Sequence, residues 1–357
     1  MPAWGRHGQP GSPMFLHRQV RSILIAAVLV NVGAGCASDG ATPPLQTKRD
    51  STKVPTDTAR PARQPGTYAL VDVNDAFGTD SPRRFNDRAD ILMYNSKHLV
   101  SAGQSVAPPE GCLGYDLNNL GHVLCGLDQR FSATSYALWD GTALVPITGL
   151  DTFPNSGFMA LTLNDSDAVA GSFELPKFAN AGCASSTACV AIWRRGQVTF
   201  PGVSARYLTD VNNSLDLVIQ DPIPTPYDPV SVYMAATHTT RGITANPGYI
   251  SEMNDSGWVV GARSGTAFVN TPSSTISFGL GVASGINNAG VVVGTIDSGA
   301  FIWKAGSRTF LTYAPANTLW TVKKAVKINN RGQILAQADD SSEARLNRWV
   351  VLTPVTP

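Results

Sequence analysis

The chain has 357 residues, and 27 Lys and Arg stand against 26 Asp and Glu for a net charge of +1. Nothing in that balance argues for a nucleic-acid partner, so none is expected. Only 15% of residues are charged, with 33 Gly and 24 Pro, a composition that suits an extracytoplasmic all-β protein.

Residues 1–36 read as a targeting segment and not as part of the fold. Arg18 and Arg21 precede an apolar run from Ile23 to Val32, then Gly33-Ala34-Gly35 and Cys36. This order resembles a bacterial lipoprotein signal, with Gly33 where the usual lipobox has Leu. The resemblance implies lipid attachment at Cys36, and Met14 as initiator gives a 22-residue signal before it. The apolar run is too short for a spanning helix. Residues 37–66, rich in Thr, Pro, Asp, Lys and Arg, read as a disordered tether. Ala37 is not the Asp that holds lipoproteins at the inner membrane. The expected location is the cell envelope, anchored at the outer membrane or displayed outside the cell.

Residues 67–357 read as one domain built on a repeat. An apolar residue, Asn, Asn or Asp, any residue and usually Gly precede a β-branched run. The first asparagines are Asn86, Asn118, Asn164, Asn212, Asn254, Asn287 and Asn329, at intervals of 32, 46, 48, 42, 33 and 42 residues. Asn and Asp make side-chain-to-backbone turns and Gly supplies a positive φ, so each motif closes a tight hairpin. The run after it, such as Val291-Val292-Val293, suits a strand buried on both faces. A third strand carries Ala300-Phe301-Ile302-Trp303, Ala267-Phe268-Val269-Asn270, Ala191-Ile192-Trp193 or Ala137-Leu138-Trp139. A fourth strand follows, as at Ala143 to Ile147. Four strands per unit at this period predict an all-β fold, a β-propeller of seven four-stranded blades. The terminal Arg348 to Leu352 run lacks a fourth strand, and Tyr68 to Val73 has no blade before it. The two are expected to pair and close the ring.

The segment Gly285 to Gly306 (GINNAGVVVGTIDSGAFIWKAG) is similar to the HAF-type extracellular repeat family. Ser298-Gly299-Ala300-Phe301 and Gly265-Thr266-Ala267-Phe268 keep its Ala-Phe and lose its His. The likeness spans roughly residues 67–353. It carries no general enzymatic activity over to this chain and brings no catalytic residue.

Four cysteines remain besides Cys36. Cys183 and Cys189 flank a short loop and are expected to pair. Cys112 and Cys125 flank a hairpin. Ideal pairing sets Cys125 opposite Gly114 and leaves Cys112 a diagonal step away, roughly 7–8 Å between Cβ atoms, too far without a bulge. Gly111 and Gly114 would permit one. No C-x-x-C pair is present, so no metal and no cofactor are expected. Asn164-Asp165-Ser166-Asp167 and Asn254-Asp255-Ser256-Gly257 lack the distal Glu of a calcium loop and read as turns. Asn164, Asn212 and Asn254 sit in glycosylation acceptors that the turns already explain.

No nucleophile elbow, zinc-protease or phosphate-loop motif occurs, and His98, His122 and His238 fall in different repeats. The expected function is a non-catalytic, monomeric binding or scaffold module for a protein or glycan, attached to the membrane by its lipid. The alternative is a propeller hydrolase or lyase acting on an extracellular polymer. Carboxylates converging at the channel mouth favour the enzyme; a bare or apolar mouth favours the module. Loop length varies on the face opposite the Asn turns, so docking is expected there, around Phe153, Phe178 and Tyr227.

Overall fold

The computed structural model describes residues 68–77, 80–94, 99–101, 104–127, 136–148, 158–174, 188–205, 207–220, 230–244, 248–297, 299–311, 320–342 and 345–355. Strand β1 (Tyr68–Asp72) is followed by a 3-10 turn at Asn74–Ala76, the only helical segment among the described residues. No helix among them is long and apolar enough to cross a membrane.

Antiparallel strands then follow in chain order. The first sheet holds β2 (Pro82–Phe85), β3 (Ile91–Met93), β4 (Leu99–Ser101) and β5 (Gln104–Val106). The second holds β6 (Leu113–Leu117), β7 (Val123–Gly126), β8 (Tyr136–Trp139) and β9 (Leu144–Pro146). The third holds β10 (Phe158–Leu163), β11 (Val169–Glu174), β12 (Ala188–Arg194) and β13 (Gln197–Thr199). The fourth holds β14 (Tyr207–Val211), β15 (Leu217–Gln220), β16 (Val230–Met234) and β17 (Thr239–Thr244). A seven-stranded sheet runs through β18 (Gly248–Met253), β19 (Val259–Arg263), β20 (Thr266–Asn270), β21 (Thr275–Ile286), β22 (Val292–Ile296), β23 (Gly299–Lys304) and β24 (Ser307–Phe310). The last sheet is β25 (Trp320–Ile328), β26 (Ile334–Asp340), β27 (Arg345–Pro354) and β1.

This is an all-β, pseudo-symmetric arrangement consistent with a β-propeller. The terminal strands pair as expected, in register from Tyr68↔Pro354 to Asp72↔Val350. The expectation of seven separate four-stranded sheets is corrected in one place. Thr275–Leu280 of β21 pairs with β20, and Gly281–Ile286 pairs with β22, in one unbroken strand. Interval length alone does not cause this, because the 32-residue interval from Asn86 to Asn118 is shorter and still separates β5 from β6; here the chain runs on through β21 without a break. Gly281 makes the bend, with φ at +141°, and a Cβ there would lie 2.1 Å from the Thr295 carbonyl.

The core lies between neighbouring sheets. Phe85, Ile91, Met93 and Val100 of the first sheet pack with Leu335, Trp349 and Val351 of the last. Leu124, Tyr136 and Leu138 meet Leu163, Val169, Phe173 and Trp193 in the same manner. The tryptophans of the third-strand signature are core residues, as their apolar context predicts: Trp139, Trp193 and Trp303 are all buried.

The Asn turns tie the units together. In each, the Asn Oδ1 accepts the N–H four residues on, as Trp258 to Asn254 at 3.0 Å and Val291 to Asn287 at 3.0 Å. The residue three after each Asn has positive φ in all seven, whether Gly or, as at Ala89, Asp167 and Leu215, not. The Asn Nδ2 then donates to the backbone carbonyl of the Asn in the next turn. The chain of bonds runs from Asn86 to Asn118 (3.0 Å), Asn164 (3.0 Å), Asn212 (2.9 Å), Asn254 (3.3 Å), Asn287 (3.0 Å) and Asn329 (3.1 Å). Asn329 closes it on Asn86 at 2.9 Å. The following residues make a second closed ring: each backbone N–H, from Asp87 round to Asn330, donates to the side-chain oxygen of its counterpart in the next turn, at 2.7–2.9 Å.

The ring predicts a severe effect from a nearly isosteric change. Asn254→Asp keeps the acceptor for its own turn but points an oxygen at the Asn287 carbonyl. We expect a loss of about 2–4 kcal/mol at neutral pH, read as a lower melting temperature by calorimetry. An unchanged melting temperature would show that the ring does not hold the turns.

Candidate functional site

Two residues before each Asn, the innermost strand carries a bulge. The pairing register slips between Pro82 and Arg84, Gly114 and Asp116, Ala160 and Thr162, and Leu208 and Asp210. It slips again between Ile250 and Glu252, Ala283 and Gly285, and Ala325 and Lys327. A bulge inserts one residue and re-aims the next side chain. The result is one level of the channel populated by Arg84, Asp116, Thr162, Asp210, Glu252, Gly285 and Lys327, one from each repeat.

These side chains interlock. Arg84 Nε pairs with Asp116 Oδ1, and Arg84 Nη2 reaches across to Asp210 Oδ1 at 3.6 Å. Lys327 Nζ lies 3.5 Å from Glu252 Oε1. It passes over Gly285, where a Cβ would stand 3.2 Å from the Glu252 carboxylate and 3.1 Å from the Lys327 Cα. Each carboxylate also accepts a backbone N–H from a later repeat: Asp116 from Leu163 at 2.9 Å, Asp210 from Met253 at 2.9 Å, Glu252 from Ile286 at 3.1 Å.

Above this level lies a cavity of about 120 Å³, lined by Arg84, Asp210, Glu252 and turn residues of all seven repeats. It opens among the Asn turns, on the face opposite the one expected to carry docking.

The electrostatics separate the two aspartates. Burial lifts the Asp210 carboxyl; Arg84 draws it down, and the Glu252 and Asp116 carboxylates push it up again, to about 6. Burial acts on Asp116 too, but the Arg84 guanidinium and the Leu163 N–H outweigh it and hold that carboxyl below its ordinary range. Arg84 is held firmly protonated: burial alone would lower it, and Asp116, Asp210 and Glu252 together raise it.

Of the residues singled out in the sequence, Cys112 and Cys125 form a disulfide with Cα atoms 4.9 Å apart. Cys112 precedes β6 in a turn from Pro109, with Gly111 at positive φ, and so is not held at the diagonal ladder position. Cys189 is disulfide-bonded; Cys183 lies outside the described residues, as do Cys36, His98, Phe153, Phe178 and Tyr227. His122 pairs with Asp167 at 2.8 Å and His238 with the Tyr233 hydroxyl at 2.8 Å, in separate repeats. Asn164, Asn212 and Asn254 are buried and their amides serve the ring, which leaves no glycosylation acceptor there. Among the described residues no group of three or more His, Cys, Asp or Glu could hold a metal ion. The sequence did carry a partial signal for the channel residues: five of the seven positions two before the Asn are charged.

No family model matches the chain, and no curated protein matches it in sequence. Solved structures of similar arrangement include a gluconolactonase from Xanthomonas campestris, 9% identical over 82% of this chain and 99% of that one, with TM-score 0.34. Dipeptidyl peptidase 4 of Porphyromonas gingivalis is 10% identical over 79% and 50%, with TM-score 0.38. A luciferin-regenerating enzyme is 10% identical over 81% and 96%, with TM-score 0.35. Scores this low assign no activity. The expectation of a non-catalytic binding module is corrected by the channel itself. That reading required a bare or apolar mouth, and the mouth holds Asp210 and Glu252 beside the Arg84 guanidinium.

The Asp210 shift gives a pH-dependent stability with a definite sign. A carboxyl raised from an ordinary 3.8 to about 6 binds more protons folded than unfolded. Its contribution is complete below pH 3.8 and is lost as pH rises through 6, on the order of 3 kcal/mol. Asp116, shifted down, acts only below about pH 4. Calorimetry between pH 4 and 6 is therefore expected to show a falling component that Asp210→Asn abolishes. An identical slope in the variant would place the shift elsewhere.

Proposed function

We propose that the chain is a seven-bladed propeller enzyme, a hydrolase or lyase acting on an extracellular polymer at the turn-face cavity. Asp210 is the observation that carries this reading: a carboxyl set near neutrality, facing a cavity, between a fixed guanidinium and two further carboxylates. A group with a pKa near the working pH is suited to take a proton and return it. Asp210 is assigned the proton transfer and Arg84 the stabilisation of negative charge that develops beside it. Glu252, anchored by the Ile286 N–H and Lys327, holds the field that keeps Asp210 high. In the seven-blade reading the seven-stranded sheet is two blades that share β21, and the closed ring of seven Asn turns supports that count.

The test is a panel of extracellular polymers incubated with the full chain, with reducing ends assayed for hydrolysis and ultraviolet absorbance for the unsaturated product of a lyase. Asp210→Asn is expected to lose at least ~100-fold in kcat/KM while remaining folded. A folded variant that cleaves as well as the native chain removes Asp210 from the chemistry, and a panel left intact removes the enzyme.

Export and anchoring are part of the same reading. The lipoprotein-like signal, the likeness to HAF-type extracellular repeats and the Cys112–Cys125 disulfide support a cell-envelope protein held by lipid on Cys36. Cys36→Ser is expected to move the protein from the membrane fraction to the soluble one. Unchanged fractionation, with no labelled fatty acid incorporated, rules the anchor out.

A further inference from the structure

The bulges give the innermost strands a second level, at the end remote from the Asn turns. Asp210 pairs with Val218 and Tyr207 with Gln220; Glu252 pairs with Val260 and Tyr249 with Ala262. Three residues on the bulged strand thus match two on its neighbour, so Tyr207 and Tyr249 share a face with the channel carboxylates. The same position holds Leu113, Met159 and Val282 in the other repeats between the second and the sixth. The level beneath the turns is charged, and this one is apolar over five consecutive repeats.

Three of these side chains, Leu113, Tyr207 and Tyr249, are exposed, Tyr249 to 68%. They belong to a larger set. Among the described residues eleven large hydrophobic side chains are exposed, and seven of them stand at this end of the blades. Tyr94 lies across from Ser81 before β2, and Val106 opposite Leu99 at the start of β4. Leu280 lies opposite Thr266 at the start of β20, and Leu346 in the hairpin from β26 to β27. Leu120 and Val355 are the members at the turn end. Single exposed apolar residues scattered over a surface need no reason, but their gathering on one face does.

We propose that this face rests on a lipid bilayer, its Tyr and Leu side chains entering the interfacial layer and the turn-face cavity directed to the aqueous side. The distribution favours a flat partner. The seven residues come from at least five repeats, and a sugar or a short peptide would reach one or two of them. Tyr is a residue of membrane–water interfaces, with an apolar ring and a polar tip. The exposed Arg263 and Lys324 at this end are matched by the exposed Glu110 and Asp297, so attachment is apolar and not a response to anionic headgroups. The tether read from the sequence supplies the proximity. Its 30 residues, 37–66, end just before β1, and a coil of that length spans about 30 Å. A lipid on Cys36 therefore holds the face at a high effective concentration beside the bilayer, and weak insertions suffice. The inference rests on the lipid-anchor reading for that proximity and not on the enzymatic one.

Depth-dependent quenching tests it on the lipidated chain in vesicles of phosphatidylethanolamine and phosphatidylglycerol that carry a lipid with a spin-labelled acyl chain. A fluorophore is placed on Tyr249→Cys, Leu280→Cys or Leu346→Cys, and on Leu120→Cys at the turn face. All four positions are exposed, so the substitutions leave the fold intact. Quenching is expected to be at least about threefold stronger at 249, 280 and 346 than at 120, and to persist at high salt. Equal quenching at 120, or none at any position while the chain stays with the vesicles, overturns the docking face. A chain that leaves the vesicle fraction sinks the lipid anchor. The same labels on the Cys36→Ser chain, mixed with excess vesicles, then decide separately: quenching confined to 249, 280 and 346 supports the face, and its absence overturns it. A spectral shift at 249 in native envelopes, with none in the vesicles, assigns the face to a protein and overturns the bilayer. Activity plays no part in the readout, so a chain that cleaves nothing is tested equally.

Discussion

Everything in this fold depends on one hydrogen bond made seven times, from an Asn side-chain amide to the backbone carbonyl of the Asn in the next turn. The residue has to do two things at once. Its oxygen must satisfy the N–H groups of its own turn, and its nitrogen must reach the neighbour. Asp has the oxygen and lacks the donor; Gln has both and is one methylene too long; Ser has neither reach nor geometry. The asparagines are buried, so each unmade bond would leave a desolvated carbonyl behind. The last link, from Asn329 to Asn86, spans 243 residues, and the pairing of β1 with β27 closes the outer edge at the same seam.

The ring fixes the ends of the innermost strands, and the bulges then decide what enters the channel. Each bulge lies a few residues before its Asn, so the following side chain is aimed inward from a nearly constant distance. Burying five ionisable side chains at one level would be prohibitive if they were solitary. They are tolerated because Arg84 and Lys327 cross the level and because three backbone N–H groups of later strands point into it. The same contacts that stitch repeat to repeat set the protonation of Asp210. Structure and chemistry are therefore not separable at that position.

Most of the fold was legible because its causes are local. Asn-Asn-x-Gly encodes a turn, a Val run encodes a doubly buried strand, and Ala-Phe-x-Trp encodes the next. Even Ala89, Asp167 and Leu215, which lack the Gly of their repeat, take the positive φ that the turn demands, because the ring over-determines it. The shared strand β21 was less legible: the 33-residue interval is visible, but what a short interval does depends on whether a glycine bend can replace a loop. The site was illegible for a different reason. Strand alternation assigns Asp210 and Glu252 a face, and a one-residue bulge changes it, so the channel set appears only when the ladders are known. Cys112 escaped in the same way, by leaving the ladder at a turn.

The distribution of identity and difference across the repeats separates scaffold from site. At the Asn position all seven residues are the same, because a ring bond fails wherever its donor is missing. Two residues earlier they are Arg, Asp, Thr, Asp, Glu, Gly and Lys, in one order around the axis. A structural role common to all repeats would favour one residue type there, as it does at the Asn. The spread from a guanidinium to no side chain at all instead makes the channel asymmetric, with cations at Arg84 and Lys327 and acceptors at Thr162, Asp210 and Glu252 on the intervening repeats. Pseudo-symmetry builds seven equivalent slots, and the chain uses the inequivalence of their occupants to place a field with a direction.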